Sequence, residues 1–232
     1  MTYDTKKIKS SCERLSGIHY IEEVDSTNTE ARRLAADCAD GPMLILTENQ
    51  FSGHGRLGRS WIDSGEDAIA MSLLLRPQIS SERVSMLTIT AALAVSSGIR
   101  KATGLASDIK WPNDLKVNDR KICGILSESV FSGKEFYSVI GIGINVNAGH
   151  FPDEISDTAA SIKTFTGKTE NRENIIIESI KAFFDYYDIL CRDGSLINLL
   201  GEYNGKCISG SGINEFGELI MKDGSLKRSG EV

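Results

Sequence analysis

The sequence predicts an α+β fold in which helices flank a mixed β-sheet. Predicted strands follow one another through short turns, for example at Asn118-Asp119, and do not alternate strictly with helices. Two long helical patterns, at 80–102 and 171–192, provide apolar faces that can cover such a sheet. Strict alternation of strands and helices would instead favour a doubly wound parallel sheet.

The first half of the chain is predicted to contain three strands and two helices. In order they are strand 18–24, helix 29–39, strand 43–48, strand 67–75 and helix 80–102. Asp25-Ser26-Thr27-Asn28 precedes the first helix and consists of residues that cap helices. The apolar face of that helix is expected to contain Ala31, Leu34, Ala35 and Cys38. Ser80 or Ser81 is the expected cap of the second helix.

The second half is predicted to contain hairpins, one long helix and a glycine-rich tail. In order they are strands 105–110, 115–117, 121–130 and 136–147, helix 171–192 and short strands at 206–213, 218–223 and 225–230. Residues 131–134 are expected to turn the chain between two of these strands. A domain boundary is predicted near 194–204, so that residues 1–193 form a large domain and 194–232 a small β domain.

Composition is typical of a globular protein and predicts no membrane or secretory segment. Charged residues make up 25% of the chain, and its net charge of −6 argues against a general nucleic-acid binder. No apolar run reaches the length of a membrane span, and the N-terminus lacks the apolar core of a signal peptide. Five cysteines without a C-x-x-C pair indicate free thiols, and so predict a cytoplasmic protein. The scattered histidines, His19, His54 and His150, do not suggest a metal cage.

The segment from Gly53 to Arg59, here called the glycine–arginine loop, is predicted to wrap an anion. Its three glycines free the backbone to approach a ligand closely. Arg56 and Arg59 supply planar, charged forks that suit phosphate or carboxylate. A solvent-exposed turn with incidental charge is the alternative.

Three later motifs also carry ligand-binding chemistry. Lys110-Trp111-Pro112-Asn113-Asp114 ends a strand with a cation and oxygen groups that suit Mg²⁺, although a simple strand-ending turn is the alternative. Arg120–Leu126 begins with a positive pair and contains Gly124, where a ligand can approach the backbone. Gly141–Asn147 has two glycines in an apolar strand and adds Asn145 as a polar contact. For Arg120–Leu126 the alternative is a hairpin with a solvated, charged start. For Gly141–Asn147 the alternative is a β-bulge.

The ordered motifs D-S-T-N, Q-x-x-G-x-G-R-x-G-R-x-W, K-W-P-N-D, R-K-x-x-G-I-L-x-E and G-x-G-I-N-x-N resemble the biotin protein ligases across about residues 18–147. The resemblance implies a catalytic domain related to class II aminoacyl-tRNA synthetases, followed by a small SH3-like β domain. It implies that biotin and ATP, with Mg²⁺, give biotinyl-5′-AMP. Biotin then passes to a lysine of the biotin carboxyl carrier protein of acetyl-CoA carboxylase.

The resemblance also assigns roles to residues. Lys121 and Arg56 are the expected catalytic residues. The expected biotin-binding residues are Ser26, Thr27, Asn28, Gln50, Gly53, His54, Arg56, Lys121, Gly124 and Gly141. The expected ATP-binding residues are Arg56, Arg59, Trp61, Lys110, Asn113 and Asn145, and the expected Mg²⁺ ligand is Asp114.

Departures from the family pattern define the remaining expectations. His54 and Leu57 stand where arginines are common in the family. We expect His54 to weaken retention of the adenylate or make it pH-dependent. Leu57 stands at a position linked to self-association in some relatives, so a monomer or weak homodimer is expected. About 17 leading residues resemble only a linker, which predicts a monofunctional enzyme that does not bind DNA. The C-terminal domain is expected to be shortened. A non-catalytic binder of biotin or biotinyl-adenylate and a lipoate-type acyl ligase are the alternative functions.

Overall fold

The computed structural model describes residues 3–36, 41–62, 67–80, 83–132 and 135–229. Its helices are α1 (Thr5–Ser11), α2 (Thr27–Ala36), α3 (Ser85–Thr103), α4 (Ile162–Thr166), α5 (Arg172–Asp193) and α6 (Leu200–Asn204). Its strands are β1 (Gly17–Val24), β2 (Met43–Gln50), β3 (Gly53–His54), β4 (Ser60–Trp61), β5 (Ala68–Leu75), β6 (Asp108–Lys110), β7 (Asp114–Val117), β8 (Arg120–Ser132), β9 (Glu135–Asn145), β10 (Leu219–Ile220) and β11 (Leu226–Lys227).

Seven strands form one mixed sheet in the order β1-β2-β5-β9-β8-β7-β6. The pair β1–β2 is parallel, and the other pairs in this sheet are antiparallel. The predicted α+β class with a mixed sheet is therefore confirmed. Two small pairs, β3–β4 and β10–β11, stand outside the large sheet.

The two faces of the sheet differ in what covers them. Ile69, Met71 and Leu73 of β5 belong to the main core, which also contains the buried residues of α3 and α5. The alternate residues of β5 point to the opposite face because successive side chains of a strand alternate. On that face α2 covers one end of the sheet through a small apolar cluster that includes Ala31 and Ala35. The rest of the face carries the candidate site.

Two predictions about helices are wrong. The leading residues are not only a linker, because they form α1, which Asp4 caps by accepting a hydrogen bond from the Lys7 amide at 2.9 Å. Ile8 of this helix is fully buried in the main core. Helix α3 begins at Ser85 without a side-chain cap, and the Ser80 carbonyl accepts from the Arg83 amide at 2.9 Å before it.

Other boundaries shift by a few residues. The strand predicted at 105–110 covers only Asp108–Lys110, and the glycine–arginine loop includes the short strand β3 and a turn of 3₁₀ helix at Arg56–Gly58. The predicted long helix is confirmed as α5, which Asn171 caps. Several predicted features lie outside the described residues, namely Cys38, Ser81, the turn residues Gly133 and Lys134, and the end of the last tail strand at Gly230.

The C-terminal tail packs on the large sheet. The Ile109 amide donates to the Lys206 carbonyl at 2.8 Å, and the Trp111 indole donates to the Gly217 carbonyl at 3.0 Å. Leu219 of β10 belongs to the main core. Helix α5 ends at the predicted boundary, with Gly194 in the left-handed region at φ 64°. The division into two domains stays a prediction.

The described cysteines carry free thiols, as predicted. Cys12 and Cys123 are buried, and Cys191 and Cys207 are half-buried. Burial raises the pKa of the Cys12 thiol to about 11. Among the described residues, no helix combines the length and apolar character that a bilayer crossing requires.

Candidate active site

A cavity of about 240 Å³ lies on the sheet face beside the start of α2 and beneath the glycine–arginine loop. Residues from all five sequence motifs line it. The predicted site residues in its lining are Ser26, Thr27, Asn28, Gln50, His54, Arg56, Arg59, Trp61, Lys110, Asn113, Asp114, Lys121, Gly124 and Gly141. The fold therefore brings together motifs that lie far apart in the sequence.

Two predicted residues do not line this cavity. Gly53 is buried, and a Cβ there would lie 2.5 Å from Gln50 Nε2 and 2.9 Å from the Trp61 carbonyl oxygen. Asn145 is also buried, and its side chain donates to the Ala160 carbonyl at 3.2 Å. Both residues support neighbouring parts of the cavity wall, and their ligand contacts stay predictions.

Small residues form the floor of the cavity. Gly124 of β8 and Ala70 of β5 flank Gly143 of β9 in the sheet register. A Cβ on Gly143 would lie 2.4 Å from Trp61 Cε2, so only glycine allows the indole to rest on this strand. A Cβ on Gly141 would lie 2.3 Å from Asn28 Oδ1. Glycine therefore allows side chains above the sheet to contact its backbone.

The first turn of α2 forms one end of the cavity. The Thr27 amide donates to Gln50 Oε1 at 2.9 Å, so a side chain of β2 satisfies a donor at the helix start. The Ser26 amide donates to the Asp25 carboxylate at 2.7 Å. A hydrogen bond from Arg33 lowers the pKa of Asp25 and keeps this carboxylate ionised. Ser26 and Thr27 are buried and have fixed neighbours at this end.

Charged groups occupy the other end. Lys121 Nζ lies 2.7 Å from Asp114 Oδ1 and 5.7 Å from the centre of the Trp61 ring. About a third of the Lys121 side chain is exposed, at 34%. Its ammonium group therefore faces the cavity while Asp114 balances its charge.

Arg56 extends from the glycine–arginine loop towards the same end. Its Nη1 donates to Asn113 Oδ1 at 3.4 Å, and its Nη2 donates to the Ser229 carbonyl oxygen. Burial lowers the pKa of Arg56, while the nearby Asp114 carboxylate opposes this effect. Arg59 is exposed. The two arginines therefore occupy different environments, as their spacing in the loop allowed.

The sequence motifs gave no role to two residues beside the cavity. Ser72 of β5 is fully buried, and its hydroxyl lies 2.8 Å from Thr27 Oγ1 and 2.7 Å from Asn28 Oδ1. Glu128 of β8 accepts a hydrogen bond from Asn28 Nδ2 at 2.6 Å. A serine within the apolar strand 67–75 was the available signal for Ser72, and Glu128 closes a motif whose other members were assigned.

Comparison with known proteins identifies the family. A sequence profile of the Biotin/lipoate A/B protein ligase family matches residues 20–145. The chain is 38% identical over 187 residues to the bifunctional ligase/repressor BirA of Bacillus spizizenii, covering 79% of this chain and 58% of that protein. It is 40% identical over 135 residues to the biotin–[acetyl-CoA-carboxylase] ligase of Paracoccus denitrificans, covering 57% and 55% of the two chains.

A solved structure shows the same fold. The biotin protein ligase from Aquifex aeolicus, in complex with biotin and ATP, superposes with a TM-score of 0.82 at 24% sequence identity. This match covers 94% of the present chain and 97% of the other. The present chain spans little more than half the length of the two curated relatives. With the profile matching more than half of its residues, the chain belongs to the Biotin/lipoate A/B protein ligase family.

Proposed function

We propose that the chain is an ATP-dependent biotin protein ligase. It forms biotinyl-5′-AMP and pyrophosphate from biotin and ATP, and then transfers biotin to a lysine of the carrier protein of acetyl-CoA carboxylase. One observation carries the proposal: a single cavity joins an uncharged polar end, at the buried Thr27 and the half-buried Gln50, to a cationic end at Arg56 and Lys121. Biotin has the matching polarity, with a neutral ureido ring at one end and a carboxylate at the other.

The uncharged end suits the ureido ring. Ser26, Thr27 and Gln50 offer hydroxyl and amide groups there, and Gly141 leaves backbone exposed to close approach. Asn28 lies against Gly141 and forms the wall behind it. Gly124 lines the cavity between this wall and Lys121, and a Cβ there would lie 3.0 Å from Lys121 Nζ and 3.1 Å from Trp61 Cζ3.

The cationic end suits the first chemical step. A carboxylate oxygen of biotin attacks the α-phosphorus of ATP, and the bond to the pyrophosphate leaving group breaks. Because both reactants are anions, cations must offset their repulsion and the charge that develops in the transition state. Lys121 lies over the floor at this end, and Arg56 reaches it from the glycine–arginine loop. We assign these two residues to the carboxylate and the α-phosphate.

The nucleotide is assigned to the side of the cavity formed by β4, β6 and β7. Trp61 offers an aromatic surface, and Arg59, Lys110 and Asn113 line the same space. Asn145 supports this side from β9 through its bond to Ala160.

Mg²⁺ fits this site only together with ATP. Asp114 and Asn113 supply oxygen groups, but the described residues contain no group of three or more acidic, histidine or cysteine side chains that could hold a metal. Phosphate oxygens would therefore complete the coordination shell. When bound, Mg²⁺ supplies positive charge to the phosphates. Asp114 would hold it, and Lys121 would then exchange its 2.7 Å contact with Asp114 for contacts with substrate oxygens.

The second step needs little further chemistry. The neutral amine of the carrier lysine attacks the acyl carbon of the mixed anhydride, and AMP leaves. Placing the amine beside the adenylate supplies most of the rate enhancement. The glycine–arginine loop would limit the access of water to the adenylate while the carrier approaches.

Partner, assembly and location complete the proposal. The similarity to the biotin–[acetyl-CoA-carboxylase] ligase of Paracoccus denitrificans supports acetyl-CoA carboxylase as the source of the carrier protein. We expect a monomer or a weak homodimer, and the free thiols support a cytoplasmic location.

The test is biotin-dependent exchange of pyrophosphate into ATP, followed by incubation with a carrier domain. We expect exchange with biotin and Mg²⁺, no exchange with lipoate, and a mass increase of one biotinyl group on one carrier lysine. Biotin binding without exchange by folded protein would instead identify a non-catalytic binder. Exchange with lipoate alone would identify a lipoate-type ligase.

A further inference from the structure

The segment 155–160 runs beside the first residues of β8, where regular pairing within the sheet is interrupted. The register of β8 with β9 begins only at Cys123, and its register with β7 shifts next to Lys121. The Lys121 amide donates to the Thr158 carbonyl at 2.7 Å, and the Lys121 carbonyl accepts from the Ala160 amide at 2.9 Å. Both main-chain polar groups of Lys121 are thus bonded to this segment.

The side chain of Arg120 fastens the segment to the start of β8. Its Nε and Nη2 both donate to the Ala159 carbonyl, at 3.0 and 2.7 Å, and its Nη2 also donates to the Ser156 carbonyl at 3.1 Å. These two residues flank Thr158, which accepts from the Lys121 amide. The planar fork of arginine makes all three contacts at once, whereas a lysine ammonium group is a single point of charge.

The far end of the segment is fixed in the core. Ala160 is fully buried and belongs to the main core, and its carbonyl accepts from Asn145 Nδ2 at 3.2 Å. With this end anchored, the bonds of Arg120 determine how the preceding residues, 156–159, lie against Lys121. The segment therefore links the backbone of Lys121 to the core, and Arg120 holds that link in place.

We propose that Arg120 is a positioning residue for the adenylation step, which holds the segment 155–160 against Lys121 and thereby sets the place of the Lys121 ammonium group. The inference rests on the proposed function, in which Lys121 faces the reacting oxygens, and deepens it. The ammonium group stands at the end of a flexible four-carbon stem, so a displaced backbone would move it away from those oxygens. A misplacement of about 1 Å at a reacting centre can lower the rate roughly a hundredfold.

The test is a double-mutant cycle read by pyrophosphate exchange at saturating biotin and ATP. Arg120→Ala alone should lower the maximal rate roughly tenfold to a hundredfold, while biotin affinity measured by calorimetry changes much less. In the Lys121→Ala background the same substitution should change the rate by no more than about twofold, because no ammonium group is left to position. Equal fold losses in the two backgrounds would show a general structural role and overturn the proposal.

Two further variants guard this result against trivial explanations. Arg83→Ala is the matched control, because Arg83 is exposed, donates to the Gly194 carbonyl at 2.5 Å and does not line the cavity. It should keep the full maximal rate. Arg120→Lys retains the charge and the apolar stem but not the fork, so it decides the question if Arg120→Ala does not fold. It should also lose maximal rate, and a full rate in this variant would contradict the proposal.

Amide hydrogen exchange measured by NMR tests the same link without any ligand. The amides of Lys121 and Ala160 should be protected in the wild-type chain and in Arg83→Ala, and should exchange at least roughly tenfold faster in Arg120→Ala. The amide of Ile142, in the middle of β9, should keep its protection in all three proteins. Unchanged protection of Lys121 in Arg120→Ala would refute the inference. Absence of exchange activity in the wild-type chain would instead refute the proposed function, so the two failures are distinguishable.

Discussion

The two ends of the cavity are built differently. At the uncharged end, Thr27 and Asn28 are only 3% and 5% exposed and are held by side chains from the large sheet. At the cationic end, the glycine–arginine loop begins with the two-residue strand β3 and is followed by the two-residue strand β4, and its Leu57 is 69% exposed. One end is part of the folded core, whereas the other includes a surface segment with few neighbours.

This difference separates recognition from chemistry. Groups that must discriminate one ring from another benefit from fixed positions, because a misplaced polar group loses its selectivity. Groups that bring two anions together benefit from a segment that can close after both substrates have entered. We therefore expect substitutions at the uncharged end to change mainly biotin affinity, and substitutions at the cationic end to change mainly the rate of adenylation.

The largest effect is expected for Lys121→Ala. Removing a cation aimed at the reacting oxygens should lower pyrophosphate exchange by roughly a hundredfold to a thousandfold. Biotin affinity, measured by calorimetry, should fall much less. Lys116→Ala, at a half-buried lysine of β7 whose Nζ donates to the Asp119 carbonyl, is the matched control and should keep full exchange. Equal exchange rates in the two variants would contradict the role of Lys121.

Gly141→Ala should affect the opposite end. The new Cβ would lie 2.3 Å from Asn28 Oδ1, and Ser72 and Glu128 prevent Asn28 from moving freely. Overpacking of this kind lowers the free energy of unfolding by about 1–3 kcal/mol. Because the strain falls on the wall of the ligand site, biotin affinity should fall by roughly tenfold or more. Gly149→Ala is the control, because no atom lies within 4 Å of a Cβ there. Unchanged biotin affinity in Gly141→Ala would show that the floor is not part of the ligand site.

Hydrogen exchange should reveal the same contrast without substitutions. Backbone amides of Gly55–Arg59 should exchange rapidly in the free protein and slow when biotin and ATP bind together. Amides of β9, in the middle of the sheet, should be protected in both states. Equal protection of both segments in the free protein would show that the two ends of the cavity do not differ in mobility.

The smallest effect concerns pH and lies outside the site. Burial raises the Cys12 pKa from 9.0 to about 11. The folded state thus holds the thiol proton more tightly, so this stabilisation is complete below pH 9 and is lost as pH rises towards 11. Urea unfolding across this range should show a falling free energy of unfolding for the wild-type chain and a shallower fall for Cys12→Ala. Identical slopes would contradict the assignment.

Much of the site was predictable because its glycines stand in sequence motifs whose strands pair with each other in the sheet. Gly124 pairs with Gly143 in the register of β8 and β9, so separate motifs become one floor. The spacing of apolar residues was also sufficient to predict helix α5, since the local pattern and the buried face of the helix agree there.

Other features depended on contacts that the local sequence does not contain. The Ser72 hydroxyl contacts Thr27 and Asn28, which lie more than 40 positions earlier in the sequence. The sequence around Ser72 therefore gave no indication of the hydrogen-bond partners of this polar residue in an apolar strand. Helix α1 is short and owes its stability to the burial of Ile8 more than to helix propensity. Helix α3 begins at Ser85, five positions after Ser80, and its first turn has no side-chain cap.

The most direct test of the division between recognition and chemistry is steady-state pyrophosphate exchange at varied biotin concentration in Thr27→Ala and Arg56→Ala. Thr27→Ala should raise the biotin KM, with the maximal exchange rate restored by excess biotin. Arg56→Ala should lower the maximal rate, and no biotin concentration should restore it. If both variants changed KM and maximal rate in the same way, the two ends of the cavity would not have separate roles.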